Sequence, residues 1–420
     1  MRRIITVCII TVFLVSCSSI NPSEALDKES SESSFVQEDA QSQQEISDSS
    51  SSQGDTQSET SSTPETVFDT KFPIEALNID KIEKASAIRA AWKDKESIYF
   101  IAQTYPDGRS GAVKWDSIQW LKYPIEVYHY NVGNNTLDKV YEYFTDSPYS
   151  GFYMQVQDTG DLAMKYDDRL IIVSAKDYKV IKDIQIPKDV HEASYNISYD
   201  GTKIAYCKKK LLKIIDSSTM KVLQTVRIPD AGYFERPTWS LDGTKILLHV
   251  SLIDCGPDHV VYVYDTIQNK LVKYDYSNNI ESYDNQVFFV NDAKSVFRMD
   301  CQGSYGQSKV VVERYDLDTA EPEVWSFAQE MEPDPISISE KGFMIGNVFA
   351  DYFYLLIADL NAQTVIKTEN ARSGAMGDQP VWARDQEKAI ALFSVQRKSD
   401  AQHKWAAAII DAKKIICEVE

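Results

Sequence analysis

One short phrase recurs along this chain, and its spacing constrains the fold more than any other feature. The clearest copies are Pro237-Thr238-Trp239-Ser240-Leu241-Asp242-Gly243-Thr244-Lys245-Ile246 and Asn196-Ile197-Ser198-Tyr199-Asp200-Gly201-Thr202-Lys203-Ile204. Pro380-Val381-Trp382-Ala383-Arg384-Asp385, followed by Lys388-Ala389-Ile390, is a third. Each copy is a short strand, a tight turn built on an acid, and an apolar strand, which is how a hairpin is written in sequence. Weaker copies fill the gaps, so that the turn acids fall at 94, 158, 200, 242, 292, 340 and 385.

Most of these intervals are about 42–50 residues, the length of a four-stranded propeller blade. The second half of each unit also repeats, as a β-run, a polar turn and another β-run. Examples are Leu212-Lys213-Ile214-Ile215-Asp216 with Lys221-Val222-Leu223, and Val261-Tyr262-Val263-Tyr264-Asp265 with Lys270-Leu271-Val272. The last unit reads Ala408-Ile409-Ile410-Asp411 and then Ile415-Ile416 as its fourth strand. The count predicts an all-β fold, a β-propeller of seven four-stranded blades over residues 67–420. A blade cannot bury both its faces alone, so neighbours stack, and a closed ring leaves no open edge.

The pattern Pro-x-Trp-Ser-x-Asp-Gly-Thr-Lys-Ile resembles the blade motif of the TolB-like, or WD40-like, propeller repeats. The match is close at 237–246, fair at 196–204 and 380–390, and degenerate in the other four units. The resemblance covers about 330 residues. It implies a fold, and for most of the family a scaffold for protein contacts, without implying a ligand.

The first residues carry a different message. Met1-Arg2-Arg3 is followed by an apolar run from Ile4 to Val15 and then Ser16-Cys17-Ser18-Ser19. A basic start, a short apolar run and small residues at the cut form a secretory signal. The run is too short for a spanning helix, which needs about 20 residues. Leu14-Val15-Ser16-Cys17 resembles the lipobox of bacterial lipoproteins. The resemblance implies cleavage of residues 1–16 and a lipid on Cys17, so that the protein is exported and anchored to the outer face of the cell membrane. Residues 17–66 then form a Ser-rich acidic tether with eleven acids and one Lys from residue 18 onward, a net of -10. With so little to bury, that segment is expected to be disordered. A flexible chain of about 48 residues spans roughly 40 Å.

Charge and residue chemistry narrow the function classes. The whole chain carries -19, and no basic stripe stands out, so nucleic acid is not expected as a partner. The five His residues (129, 191, 249, 259 and 403) are scattered and make no metal-ligand spacing. There is no G-x-S-x-G elbow and no Gly-rich phosphate loop. Ser240-Leu241-Asp242-Gly243-Thr244 approaches a sialidase Asp-box, but Lys245 stands where an aromatic belongs. Trp239 and Trp382 share one repeat position and read as packing between blades. Asp200 and Asp242 read as turn formers. No catalytic residue, metal or cofactor is assigned.

Binding chemistry is expected instead on one face of the ring. Turns between the first and second strands of a blade, and between the third and fourth, share a side (the turn face). Loops between second and third strands, and crossings between blades, share the other (the loop face). The long segments all fall on the loop face: 105–122 in the first blade, 254–259 in the fourth, 300–308 in the fifth and 397–403 in the seventh. Long loops on one face of a repeat array mark a binding face. The candidate residues are Tyr105, Trp115, Trp120, Asp254, His259, Asp300, Tyr305 and His403. The crossings add an acidic rim to that side. The expected role is a non-enzymatic binding scaffold for a protein, peptide or glycan. The alternative is a lyase- or glycosidase-type propeller enzyme with its site at the central channel. Cys255 and Cys301 lie in matching loops of adjacent blades, so an exported protein could join them as a disulfide. Cys207 and Cys417 sit in apolar runs and are expected to be buried.

Overall fold

Strands covered on both faces read as continuous apolar runs, and those runs build the centre of this protein. The computed structural model describes residues 74–83, 85–103, 123–145, 153–166, 168–191, 195–229, 233–234, 237–251, 259–275, 286–289, 295–302, 308–317, 322–329, 333–339, 341–349, 353–367, 375–376, 380–396 and 403–419. All of them belong to the unit Thr63–Glu420. Cys17 and the segment before residue 74 lie outside the described residues.

The first strand, β1 (Ile74–Leu77), belongs to the last blade. Blade 1 is β2 (Ala87–Trp92), β3 (Ser97–Gln103), β4 (Tyr123–Asn131) and β5 (Thr136–Thr145). Blade 2 is β6 (Tyr153–Val156), β7 (Leu162–Tyr166), β8 (Arg169–Val173) and β9 (Val180–Gln185). A short helix, α1 (Lys188–His191), leads to blade 3: β10 (Tyr195–Ile197), β11 (Lys203–Lys208), β12 (Leu211–Asp216) and β13 (Val222–Arg227). In blade 4 the inner position is split between β14 (Tyr233–Phe234) and β15 (Thr238–Trp239), followed by β16 (Lys245–Ser251), β17 (His259–Asp265) and β18 (Lys270–Asp275). Blade 5 is β19 (Gln286–Phe289), β20 (Ser295–Gln302), β21 (Ser308–Asp316) and β22 (Pro322–Gln329). Blade 6 is β23 (Pro333–Ile338), β24 (Phe343–Phe349), β25 (Phe353–Asp359) and β26 (Thr364–Lys367). Blade 7 has β27 (Ala375–Met376) and β28 (Val381–Trp382) inside, then β29 (Lys388–Gln396), β30 (His403–Asp411) and, outermost, β1. The chain is a seven-bladed β-propeller, as the repeat count predicts.

Each junction between neighbouring blades holds its own hydrophobic cluster. The seven clusters lie between blades 1 and 2, 2 and 3, 3 and 4, 4 and 5, 5 and 6, 6 and 7, and 7 and 1. Burial falls from the centre outward. Every residue of β3 is buried, whereas the outer strands β9 and β13 alternate between exposed and half-buried. Trp239 is fully buried in the cluster between blades 3 and 4. Its Nε1 donates to Asn196 O at 3.2 Å, across the blade boundary. Trp92 repeats that bond to Val381 O at 2.9 Å and so ties blade 1 to blade 7. Trp382 packs against the cluster between blades 6 and 7.

The seventh blade corrects one expectation. Ile415-Ile416 is not a strand; it lies in a helix, α2 (Ala412–Val419). The fourth strand comes from the other end of the chain, with Ile74 opposite Ile410 and Leu77 opposite Ala407. Asp411 stands where Asp216, Asp265 and Asp359 stand in other blades. Those carboxylates each accept two backbone amides of the turn that leads to a fourth strand. With the fourth position filled by β1, the same Asp accepts from Lys414 N at 3.0 Å and caps a helix. Helical spacing buries Ala412, Ile415 and Ile416 and turns Cys417 outward. Cys417 is therefore exposed, contrary to the reading of the sequence, while Cys207 is buried. Burial pushes the Cys207 thiol up to about 12.

Candidate functional site

The two faces of the ring divide architecture from variation. On the turn face the repeated acids serve the fold. The Asp242 Oδ1 accepts from Ser240 Oγ at 2.7 Å, Thr244 N at 2.9 Å and Thr244 Oγ1 at 2.8 Å. Asp200 makes the same bonds with Ser198 and Thr202. Burial alone would raise both pKa values. The hydrogen bonds, with Lys203 and Lys245 nearby, outweigh it and hold both carboxyls below their ordinary value. Gly201 and Gly243 follow with φ of 70° and 66°, a conformation that glycine adopts without steric cost. A side chain at Gly201 would also meet Gln157 Oε1 at 2.9 Å. In blade 7 Gln386 takes the glycine's place at φ 61°. The third-to-fourth-strand turns dock onto these hairpins, as Ser217 Oγ does on Gly201 O at 2.7 Å and Thr266 Oγ1 on Thr244 O at 2.8 Å.

One cluster on the turn face was not legible in the sequence. Lys93 Nζ donates to Ala175 O at 3.1 Å and lies over the rings of Tyr99 and Tyr178, 5.6 and 5.4 Å from their centroids. His129 stands 6.0 Å from both rings. Its Nε2 is buried with no hydrogen-bond partner. Burial lowers the His129 pKa, Lys93 adds to that, and Asp94 and Asp138 oppose it. The four side chains pin blade 1 to blade 2, and burial favours the neutral form of the imidazole. Each falls in a different segment, so no local motif announces them.

On the loop face, the structure places three of the candidate binding residues. His259 opens β17 opposite Ser251, and His403 opens β30 opposite Gln396. Asp300 lies near the end of β20, opposite Val311. All three backbone positions belong to the second-to-third-strand ends of blades 4, 7 and 5. Tyr105, Trp115, Trp120, Asp254 and Tyr305 lie outside the described residues, as does Cys255, so the proposed bridge to Cys301 is not described. The innermost strands among the described residues carry one carboxylate, Asp334, and no histidine. No three of His, Cys, Asp and Glu converge among the described residues.

The sequence-level view also missed a concentration of charge. Blade 3, residues 195–229, holds six Lys and one Arg against two Asp, a net of +5 within a chain of -19. The signal was the triplet Lys208-Lys209-Lys210, which the average charge hides.

No family model matches the sequence. No curated protein matches it either. Among solved structures it is similar to Kuenenia stuttgartiensis Hydrazine Synthase, at 13% identity and a TM-score of 0.44, covering 66% of this chain and 90% of that chain. It is also similar to U3-55K, at 10% identity and a TM-score of 0.46, covering 80% of this chain and 98% of that chain. At such values neither likeness bears on ligand or activity.

Proposed function

We propose that this protein is an exported lipoprotein, held to the outer face of the cell membrane through Cys17, whose propeller acts as a non-enzymatic binding scaffold. The observation that carries the reading is the division of labour between the faces. The repeated residues Asp200, Asp242 and Trp239 are spent on turns and blade packing. Residue types that do not repeat gather in the second-to-third-strand loops. The TolB-like character of the repeat and the lipobox at Leu14-Val15-Ser16-Cys17 support a scaffold displayed beyond the membrane.

The binding surface is the loop face, centred on the first-blade loop with Tyr105, Trp115 and Trp120. Aromatic side chains in such a loop supply hot-spot energy, about 2 kcal/mol or more each when desolvated. Neighbouring acids select a cationic or polyhydroxyl partner more than they add affinity. Replacing Trp115 and Trp120 together with Ala tests the reading in a membrane pull-down. Loss of the partner at an unchanged melting temperature supports it. A melting temperature lowered by several degrees with the partner retained would place both residues in the core and the site elsewhere.

A further inference from the structure

We infer that the loop-face half of blade 3 is a binding site for a phosphate-bearing polyanion. The inference is independent of the site proposed around Trp115 and Trp120, which lies in blade 1 and would attract the opposite charge.

The placement of charge within blade 3 carries the argument. Asp200 and Asp216, its two carboxylates, both sit in turn-face turns, where backbone amides and hydroxyls already occupy them. Five of its seven cations, Lys208, Lys209, Lys210, Lys213 and Arg227, sit at the opposite end, around the β11–β12 turn. The blade's positive charge is thus gathered on the loop face, with its negative charge kept at the far side of the sheet.

Register brings these cations onto one surface. Tyr195, Tyr206, Lys213 and Thr225 lie directly opposite one another across β10 to β13. Lys208, Leu211 and Arg227 form the next row of the same face. Residues facing each other across an antiparallel pair share a side, with strands about 4.8 Å apart and same-side rows about 7 Å apart. Tyr195 and Tyr206 pack toward blade 2 in the cluster shared with Ala163 and Leu170. This face therefore looks into the seam between blades 2 and 3. Blade 2 answers with another cation, Lys165, whose Nζ lies 4.6 Å from the Tyr195 ring centroid. Lys213 lies 5.8 Å over Tyr206. Each of the two ammoniums thus lies over a buried tyrosine ring in the seam.

Lys209, Lys210 and Arg227 are exposed and make no ion pair among the described residues. Unpaired cations this close repel one another, and an anion relieves that repulsion. Lysine outnumbers arginine four to one in the group. An ammonium binds phosphate as a compact point charge with rotatable donors, and the Arg227 guanidinium meets phosphate oxygens bidentately. The cations are spread over two rows and a turn rather than focused on one point. That spread fits a polymer carrying many phosphates and not a single ion. The strongly acidic remainder of the chain repels such a polymer and confines it to this sector.

The test uses the full-length protein in detergent, with fluorescently labelled inorganic polyphosphate as probe and binding followed by anisotropy across salt concentrations. One variant reverses three charges in the site, Lys209→Glu, Lys210→Glu and Arg227→Glu. A second reverses three exposed charges on the turn face, Lys176→Glu, Lys179→Glu and Lys221→Glu, so both carry the same net charge. Thermal melts of both establish that each folds. The inference expects the site variant to lose about tenfold or more in affinity and about three from its salt slope, while the turn-face variant stays near wild type. Equal losses in the two variants would show only overall electrostatics and overturn it. Polyglutamate binding as tightly as polyphosphate would point to an acidic peptide and overturn the phosphate assignment. Binding seen only with anionic phospholipid vesicles would make the sector a membrane contact and overturn it too.

Discussion

Closure of the ring by β1 makes a quantitative prediction. Leu77 is 7% exposed and packs between blades 7 and 1 with Ile79, Ile82, Ile88 and Ile409. Its register partner on β30, Ala407, is 330 positions away in sequence. Leu77→Ala removes apolar surface worth about 2 kcal/mol on transfer and leaves a cavity besides. An outermost strand can settle inward, so the cost should fall in the lower half of the usual 2–5 kcal/mol, at about 2–3 kcal/mol. Against a typical stability of about 5–15 kcal/mol that is a large share. The loss should also be local in its onset, because a weakened β1 frees the edge of β30 before the rest of the ring opens. Urea unfolding should show a lower midpoint at an unchanged slope. Hydrogen exchange should accelerate at the alternate amides within Ala407 to Ile410 that donate to β1 rather than to β29. The matched variant is Ile184→Ala on β9, an outer strand tethered by its own turn, which should leave exchange in β30 as it was. A cost under about 0.5 kcal/mol for Leu77→Ala, with β30 exchange unchanged, would refute the claim that the N-terminal strand holds the ring shut.

Other outcomes follow from the turns, the blade clamp and the leader. Asp242→Ala should destabilise by about 1–2 kcal/mol in urea unfolding, since it strips the acceptor from three hydrogen bonds. Because the folded-state pKa of Asp242 is lowered, its contribution is full above the unfolded value of 3.8 and is lost as pH falls through the folded value, so Asp242→Asn should flatten the acid limb of the stability curve below about pH 4. His129 is also lowered, from 6.5, so the unfolded chain takes up a proton first and stability should fall as pH drops below about 6.5. His129→Phe should remove that slope in denaturant midpoints between pH 7 and 5; a slope that persists would place its origin elsewhere. Metabolic labelling with a fatty acid should mark the wild type and not Cys17→Ala, and equal label in both would exclude lipidation at that residue.

Much of the fold could be read from residues near one another in sequence. Asp200-Gly201 and Asp242-Gly243 announce their hairpins because the carboxylate binds its own turn and the next residue takes positive φ, both local acts. The third-to-fourth-strand turns are equally local, though among the described residues the ones at positive φ there are Asn135, Tyr178, Met220, Asn269 and Gln363, none of them glycine. The partner of an outer strand is another matter. Ile415-Ile416 has the apolar pair and the spacing of a fourth strand, yet it is helical because β1 already fills that place. No local rule distinguishes the two, since the choice depends on a strand more than 300 residues earlier.

The same limit applies to the sites. Loop lengths alone point to the loop face, because hairpin alternation fixes which turns share a side. The charged seam of blade 3 needed the register of β10 to β13 to bring Lys208, Lys213 and Arg227 onto one surface. The cluster of Lys93, Tyr99, His129 and Tyr178 needed two blades in contact. By itself the sequence determined the repeat, the blade count, the turn chemistry and the side on which the loops emerge, for all of these rest on interactions within a few residues. Only the tertiary structure decided how the ring closes, which thiol is buried and which charges meet, because each depends on the energy of bringing distant segments together.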